Sequence, residues 1–274
     1  MSLLQTFARH TSGLVGRESR LIRGLRPAYE SLLEWSSNGR GIHWTINGIT
    51  YRIDPHQRHR LAQNYDVPVA DFLRPRIKPG SLCLDVGANV GVYVMQFAHW
   101  SGPTGQVIAF EPNPVACAIL EKHVRMNQLT ERVRIVPAAV SEASSEQILY
   151  AAEADGMSRL GEPNRSLAGK TAEIVAPVLT LDEYCTSEGL QPDWLLIDIE
   201  GFEIAALAGA RKLIQDRRDQ LGIIVEMHPD VWSSADTTRA RAEDLLAELG
   251  LLAVPLTGQS DPLGNYGIVH LAYA

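Results

Sequence analysis

The chain has 274 residues, 45% of them hydrophobic and 21% charged, with a formal net charge of −7 at pH 7, the balance of an ordinary folded protein. No apolar run approaches the length of a bilayer span, and residues 1–26 lack the apolar core and small-residue cleavage site of a secretory signal; a cytoplasmic protein without stable membrane insertion is expected. Residues 1–60 hold nine Arg and four acids, a net of +5, which leaves −12 for the rest, a poor match to a phosphate backbone that argues against a nucleic-acid partner.

Residues 1–40 read as helical, with Arg9, Arg17, Arg20, Arg23 and Arg26 set among Leu and Ile. That pattern suits a solvated helix packed on a core, or an amphipathic segment that docks a membrane or a partner. Ser36-Ser37-Asn38-Gly39 breaks it, and residues 43–53 alternate about Asn47-Gly48, a strong hairpin signal. Residues 1–64 are therefore expected to form an N-terminal extension and 65–274 the main domain.

A helix is predicted near 68–76, and Lys78-Pro79-Gly80 turns the chain into the first core strand. Strands follow at 82–87, 106–111, 132–137, 194–198, 221–226, about 250–255 and 266–272, with helices at 91–100, 114–127, 202–214 and 236–249. Apolar strands alternating with amphipathic helices predict an α/β, Rossmann-like fold: a mostly parallel seven-stranded sheet with an antiparallel edge hairpin made by the last two strands. Residues 145–178 interrupt the alternation between short strands at 146–151 and 173–178, on the carboxyl-end side where such sheets bind ligands. Cys83, Cys117 and Cys185, an odd number without metal-ligand spacing, read as reduced thiols.

Two linked elements carry the cofactor reading. Leu84-Asp85-Val86-Gly87-Ala88-Asn89-Val90-Gly91 is a buried strand breaking into a glycine-bearing turn that opens a helix. Ala109-Phe110-Glu111-Pro112-Asn113 ends the next strand on an acid placed to grip both hydroxyls of a ribose. A dinucleotide fingerprint wants glycine where Asn89 stands, and Asp85 would repel a pyrophosphate but suits an ammonium. The pair points to S-adenosylmethionine (SAM), with a dinucleotide, or a purely structural turn, as alternatives. Ser141, after the third strand, is a candidate for the adenine edge, whereas Asn127 reads as a helix C-terminal residue.

The fourth core strand ends Asp198-Ile199-Glu200-Gly201-Phe202-Glu203, with Asp198 and Glu200 on one side if the strand persists. Buried strands seldom end on two acids without partners, although Glu200 or Glu203 could simply cap the next helix. The fifth ends Glu226-Met227-His228, a carboxylate for orientation and an imidazole suited to removing a hydroxyl proton. Asp198, Glu200, Glu226 and His228 are either an unmetallated acid–base network, the reading favoured, or ligands for a divalent ion. Tyr65, Met157, Ser158 and Trp232 are candidates to line the substrate, under cover of residues 150–175 and the N-terminal helices.

The glycine motif, Phe110-Glu111-Pro112-Asn113, Ala138–Ser141, Leu179-Thr180-Leu181-Asp182 and Asp198-Ile199-Glu200-Gly201 together resemble the FkbM family of SAM-dependent methyltransferases over residues 65–228. The resemblance implies a class I methyltransferase fold and O-methylation of a hydroxyl on a sugar, glycolipid or polyketide-like small molecule. It implies that Asp85, Gly87 and Gly91 shape the methionine end, that Glu111 binds the ribose, and that Asp198 lies nearest the transferred methyl; Asn89 and Pro112 are further candidates for cofactor binding. Many relatives carry Lys two residues before that Asp, where this chain has Leu196. A degenerate SAM-binding or scaffold protein and an N-methyltransferase are the alternatives, and assembly into a homo-oligomer stays open.

Overall fold

The computed structural model describes residues 20–152, 157–163 and 171–274. Part of the expected N-terminal helix, with Arg9 and Arg17, and parts of the 150–175 segment lie outside the described residues. The chain divides into two compact units, residues 1–65 and 66–274.

In the first unit, helix α1 (Arg20–Ser37) ends where Asn38 and Gly39 turn to φ of 49° and 71°. Strands β1 (Ile42–Ile46) and β2 (Ile49–Ile53) pair antiparallel across Asn47-Gly48, both at positive φ as the tight hairpin requires. The Asn47 side chain accepts from the Tyr65 N–H at 3.0 Å and donates to the Tyr65 carbonyl at 2.6 Å, which ties the hairpin to the segment that leaves the unit.

The second unit opens with α2 (Val67–Leu73) and then alternates β3 (Leu82–Val86), α3 (Val92–Trp100), β4 (Gln106–Phe110), α4 (Pro114–Met126) and β5 (Val133–Val136). The later half gives β10 (Trp194–Ile197), α6 (Glu203–Ala208), α7 (Arg211–Arg217), β11 (Gly222–Met227), α8 (Arg239–Leu249), β12 (Leu251–Pro255) and β13 (Gly267–Tyr273). Seven strands form one sheet in the order β12-β13-β11-β10-β3-β4-β5, parallel from β11 to β5, with β13 antiparallel to both its neighbours. Strand order reverses between β3 and β10, so their carboxyl ends flank the crevice where ligands enter such sheets. On one face Leu84, Val86, Leu195 and Ile197 pack with Ile223 and Val225 in a single core.

Between β5 and β10 the chain builds a second sheet from β6 (Ala139–Val140), β7 (Ser145–Ala151), β8 (Arg159–Leu160) and β9 (Ala172–Leu179), in the order β6-β9-β7-β8. Leu149, Leu160 and Val178 of this sheet pack on Phe202 and Ala205, which seats the insertion at the entrance to α6. Helix α5 (Leu181–Glu188) follows it. Thr180 caps α5 by accepting from the Glu183 N–H, and Asp182 accepts from the Lys212 and Leu213 N–H groups at the start of α7. The Leu179–Asp182 motif is thus a pair of helix caps.

Three expectations are corrected. The single helix at 202–214 is two, broken at Gly209 and Ala210, and Gly209 packs against the Ser141 carbonyl where a Cβ would not fit. The helix at 236–249 begins only at Arg239, after a 3₁₀ segment over Pro229–Ala235. The β10 strand does not persist to Glu200: it stops at Ile197, and Glu200 and Gly201 adopt φ of 51° and 106°. Among the described residues no helix is long and apolar enough to cross a membrane.

Candidate active site

The cofactor side is built from the tips of β3 and β4. Gly87, Asn89 and Gly91 all lie at positive φ, and the Gly87 and Ala88 N–H groups donate to the Phe110 carbonyl at 2.9 and 3.0 Å. A Cβ on Gly87 would overlap the Asp198 carbonyl, and one on Gly91 would strike the Leu120 side chain. The glycines therefore let the β10 tip and α4 close on the turn, a packing demand that the sequence reading assigned to a ligand.

Glu111 is the hub of this side. Its Oε2 accepts from the Asn89 N–H and its Oε1 from the Asn113 N–H, both at 2.8 Å. Asn113 in turn caps α4 through the Val115 N–H and donates to the Ala152 carbonyl at 2.7 Å and to Ser158 Oγ at 3.0 Å. Burial pushes Glu111 up to about 7, opposed by the two N–H groups. Asp85 is also pushed up to about 7, by burial and by repulsion from Glu111. Its Oδ2 is buried without a hydrogen-bond partner.

A cleft opens above this hub, lined by Gly87, Asn89, Glu111, Pro112, Asp198 and Glu200, with Leu149, Ser158 and Leu160 contributed by the second sheet. Of the residues singled out in the sequence, Asp85, Gly91, Ser141, Glu226 and His228 do not line it. Ser141 is 6% exposed, with its carbonyl against Gly209. Met157 is half-buried beside Ser158, and Tyr65 belongs to the first unit. Trp232, expected to line the substrate, is 3% exposed in the core, because its indole N–H is drawn inward to Glu203 Oε2 at 2.9 Å.

The remaining acids of the candidate site stand at the tips of β10 and β11. Asp198 and Glu226 share a hydrogen bond, and burial together with the Glu226 charge pushes Asp198 well above the usual carboxylate range, although His228 opposes this. The Tyr266 hydroxyl donates to Glu226 Oε1. Nearby, the Tyr93 hydroxyl donates to Asp66 Oδ2 at 3.1 Å. Burial raises Asp66, as does the charge of Glu226, against the opposing effect of the Tyr93 hydrogen bond. Glu200 lies 3.5 Å from the buried Arg159 and 4.0 Å from His228 Nε2.

His228 donates from Nδ1 to Glu203 Oε1 at 2.7 Å. Burial disfavours its charge, but Glu203, helped by Asp198 and Glu200, outweighs that and pushes it up to about 9. It is therefore protonated at neutral pH, which differs from the neutral imidazole expected of a base. Asp198, Glu200, Glu226 and His228 do not converge as a set of metal-ligand atoms: among the described residues, only Glu34, Asp54 and His56 of the first unit do so within 4.8 Å.

Sequence reasoning passed over Tyr93, Asp66, Arg159 and Tyr266. None sits in a motif, and only the fold brings them to the strand tips.

The Methyltransferase FkbM domain family matches residues 85–250, from the acid of β3 to the loop before β12. The chain belongs to the FkbM methyltransferase family. It is 32% identical over 181 residues to 31-O-demethyl-FK506 methyltransferase FkbM of Streptomyces tacrolimicus, covering 56% of this chain and 67% of that protein. Among solved structures it is similar to methyltransferase FkbM from Methylobacillus flagellatus KT at a TM-score of 0.47 and 14% identity, over 78% of this chain but only 46% of that one. Aeropyrum pernix fibrillarin, solved with SAM bound, matches at a TM-score of 0.45 and 14% identity over 85% of this chain and 82% of that chain.

This FkbM domain is a SAM-dependent methyltransferase of Rossmann-like, class I architecture. Its residues fit the cofactor: Glu111 presents to the cleft a carboxylate of the kind that ribose hydroxyls satisfy.

Proposed function

We propose that the enzyme methylates a hydroxyl oxygen of a small-molecule acceptor, a sugar, glycolipid or polyketide-like compound. The observation that carries this reading is the Asp198–Glu226 pair, two carboxyls in hydrogen-bond contact at the tips of adjacent strands, one of them in the cleft wall. Burial and the neighbouring Glu226 charge raise Asp198, so a carboxyl that can exchange a proton stands in the cleft wall. That is the property needed to take a proton from an alcohol as its oxygen becomes a nucleophile. The S. tacrolimicus relative, named for 31-O-demethyl-FK506, supports an oxygen acceptor.

SAM when bound supplies an electrophilic methyl on a good leaving group. The chain's own residues then do the rest. Glu111 accepts from ribose hydroxyls while its orientation is fixed by the Asn89 and Asn113 N–H groups. The glycine turn holds the β10 tip close, so that Asp198 faces the reacting centre. Leu149 and Leu160 of the second sheet form an apolar wall that excludes water, where alignment and dryness supply much of the rate. Cys83, Cys117 and Cys185 are buried and unpaired, which supports work in a reducing, cytoplasmic compartment.

The test is turnover. Purified protein is incubated with SAM and separate panels of sugars, glycolipids and polyketide alcohols, and S-adenosylhomocysteine (SAH) is quantified alongside the methylated product. An O-methyl ether that disappears in Asp198→Asn is expected. Methyl found only on nitrogen, or SAH bound tightly with no transfer to any hydroxyl, would overturn the reading.

A further inference from the structure

Strand tips stand across the sheet in the order β10, β3, β4, β5, and the first three bring Asp198, Gly87 and Glu111 to the cleft. SAM runs in a fixed order from methionine and methyl through ribose to purine. With Asp198 and the glycine turn on one side of Glu111, the purine falls on the other, toward β5. The cleft wall there is apolar, made by Ala116 of α4, Ala138 and Val140 after β5, and Leu149, Leu160 and Phe202. Such a slot takes a flat heteroaromatic ring, and a few placed polar groups must then fix which ring it is.

Neutral side-chain donors in the cleft wall are Asn89, Asn113 and Ser158. Asn89 belongs to the turn after β3, on the methionine side. Asn113 has committed both amide hydrogens, one to the Ala152 carbonyl at 2.7 Å and one to Ser158 Oγ at 3.0 Å, while its Oδ1 accepts from the Val115 N–H. Ser158 differs. Its Oγ accepts twice, from the Asn113 amide and from the Ala152 N–H at 3.1 Å. A hydroxyl has two acceptor sites and one hydrogen, so the acceptor sites are filled and the hydrogen remains to be given. Among the described residues none receives it.

The same two bonds fix where this oxygen stands. Asn113 is 1% exposed, and its own N–H donates to Glu111 Oε1, so one residue anchors both Glu111 and the Ser158 hydroxyl. Ala152 follows β7 and Ser158 precedes β8, which makes the hydroxyl a contribution of the second sheet. Ser141, which the sequence offered for the adenine edge, does not reach the cleft.

We propose that Ser158 is a specificity-determining residue of the cofactor site: its hydroxyl donates to a ring nitrogen of the adenine, so that the inserted sheet, and not the segment after the third core strand, reads the purine. With its acceptor sites filled, Ser158 has nothing to offer the exocyclic amino group, which is a donor; its partner is one of the acceptor nitrogens N1, N3 and N7. The assignment rests on Glu111 taking the ribose, and it holds whichever atom of the acceptor molecule is methylated.

The test is a cycle between residue and ligand. Calorimetry on the full chain gives the affinity of wild type and of Ser158→Ala for SAH and for its 1-deaza, 3-deaza and 7-deaza analogues. In wild type one of the three analogues should bind about threefold to tenfold more weakly than SAH, the range of a neutral hydrogen bond. Ser158→Ala should bind SAH and that analogue alike. Ser158→Thr, which keeps the hydroxyl, should keep the discrimination. Ser158→Ala also takes an acceptor from Asn113 and Ala152, but that structural loss weakens every ligand by one factor and leaves their ratio untouched.

Wild-type protein that binds all three analogues as it binds SAH, or a discrimination that survives in Ser158→Ala, would overturn the proposal. Should Ser158→Ala fail to fold, Ser158→Cys, whose thiol is only a weak donor, takes its place in the cycle. Glu111→Gln reports separately on the ribose: unchanged SAH affinity in that variant would overturn the ribose assignment, while the analogue cycle still decides Ser158.

Discussion

The backbone N–H of Asn89 donates to Glu111 Oε2 at 2.8 Å, joining the turn after β3 to the tip of β4 across 22 residues of chain. The bond makes the turn and Glu111 a single unit, since displacing either one removes the other's partner. It also leaves Glu111 able to accept further bonds from hydroxyls, because each carboxylate oxygen has more than one acceptor site.

Affinity for SAH should rise with pH. Glu111, pushed up to about 7, is partly protonated in the ligand-free protein at pH 6, and accepting ribose hydroxyls favours its charged form. Binding at pH 6 to 7 should therefore release a proton, visible in calorimetry as heats that vary with buffer ionisation enthalpy. Glu111→Gln would turn an amide NH₂ toward one of the two N–H donors; affinity should fall by roughly tenfold to a hundredfold and the pH dependence flatten. Unchanged affinity in this variant would remove Glu111 from the cofactor site.

Stability of the ligand-free protein should decline from mildly acidic to alkaline pH. Asp85 and Glu111 hold protons in the fold that the unfolded chain has already lost, so stability falls as pH rises between about 4 and 7, and the raised Asp198 acts in the same direction. His228 is raised instead, so its contribution is complete below about 6.5 and is lost as pH climbs through about 9. The two slopes have the same sign. Thermal melts should drop by roughly 10 °C between pH 6 and pH 9.5, and SAH should restore part of the loss. A melting temperature that rises over this range would contradict the assigned protonation states.

Two glycines of one motif should respond differently to alanine. At Gly87 the φ of 89° and the rigid Asp198 carbonyl both oppose a Cβ, and Gly87→Ala should cost about 3 kcal/mol or more and abolish SAH binding. At Gly91 the φ of 91° is equally strained, but the obstacle is the flexible end of Leu120. Gly91→Ala should cost about 1–3 kcal/mol and leave measurable binding. Denaturant melts and calorimetry on the two variants would show whether that ordering holds.

Glu226→Gln separates chemistry from cofactor binding. Glu226 does not line the cleft, yet it shares a hydrogen bond with Asp198. The variant should bind SAH within a fewfold of wild type and lose about a hundredfold in transfer rate on any hydroxyl acceptor found in the panels. Loss of SAH binding in step with activity would mean that Glu226 serves the cofactor side instead.

The sheet and its direction were legible because runs such as 107–110 and Trp194–Ile197 are apolar on both faces, as suits a covered parallel strand. The cofactor motifs were legible because their spacing is local. What the sequence did not reveal was mostly tertiary. Gly209, within an unbroken helical pattern, gives no local sign that the Ser141 carbonyl will press on it. Trp232 has the look of a substrate-lining aromatic until Glu203, 29 residues earlier, claims its indole. Glu203 itself could be read as a helix cap, since nothing in Glu-Gly-Phe-Glu says that the second acid turns inward to a histidine. Tyr266 reaches Glu226 only through the pairing of β13 with β11.

That pairing sets an order of assembly. β13 follows β12 in sequence yet lies between β11 and β12, so a growing polypeptide must leave a slot open beside β11 until the later strand is made. Until then the edge of β11 that carries Glu226 has no neighbour, and the hydroxyl of Tyr266 has not arrived. The nucleotide-binding half, from β3 to β5, draws on sequence-near contacts and needs none of this. During synthesis the protein should thus acquire a grip on its methyl donor well before it acquires the means to spend it.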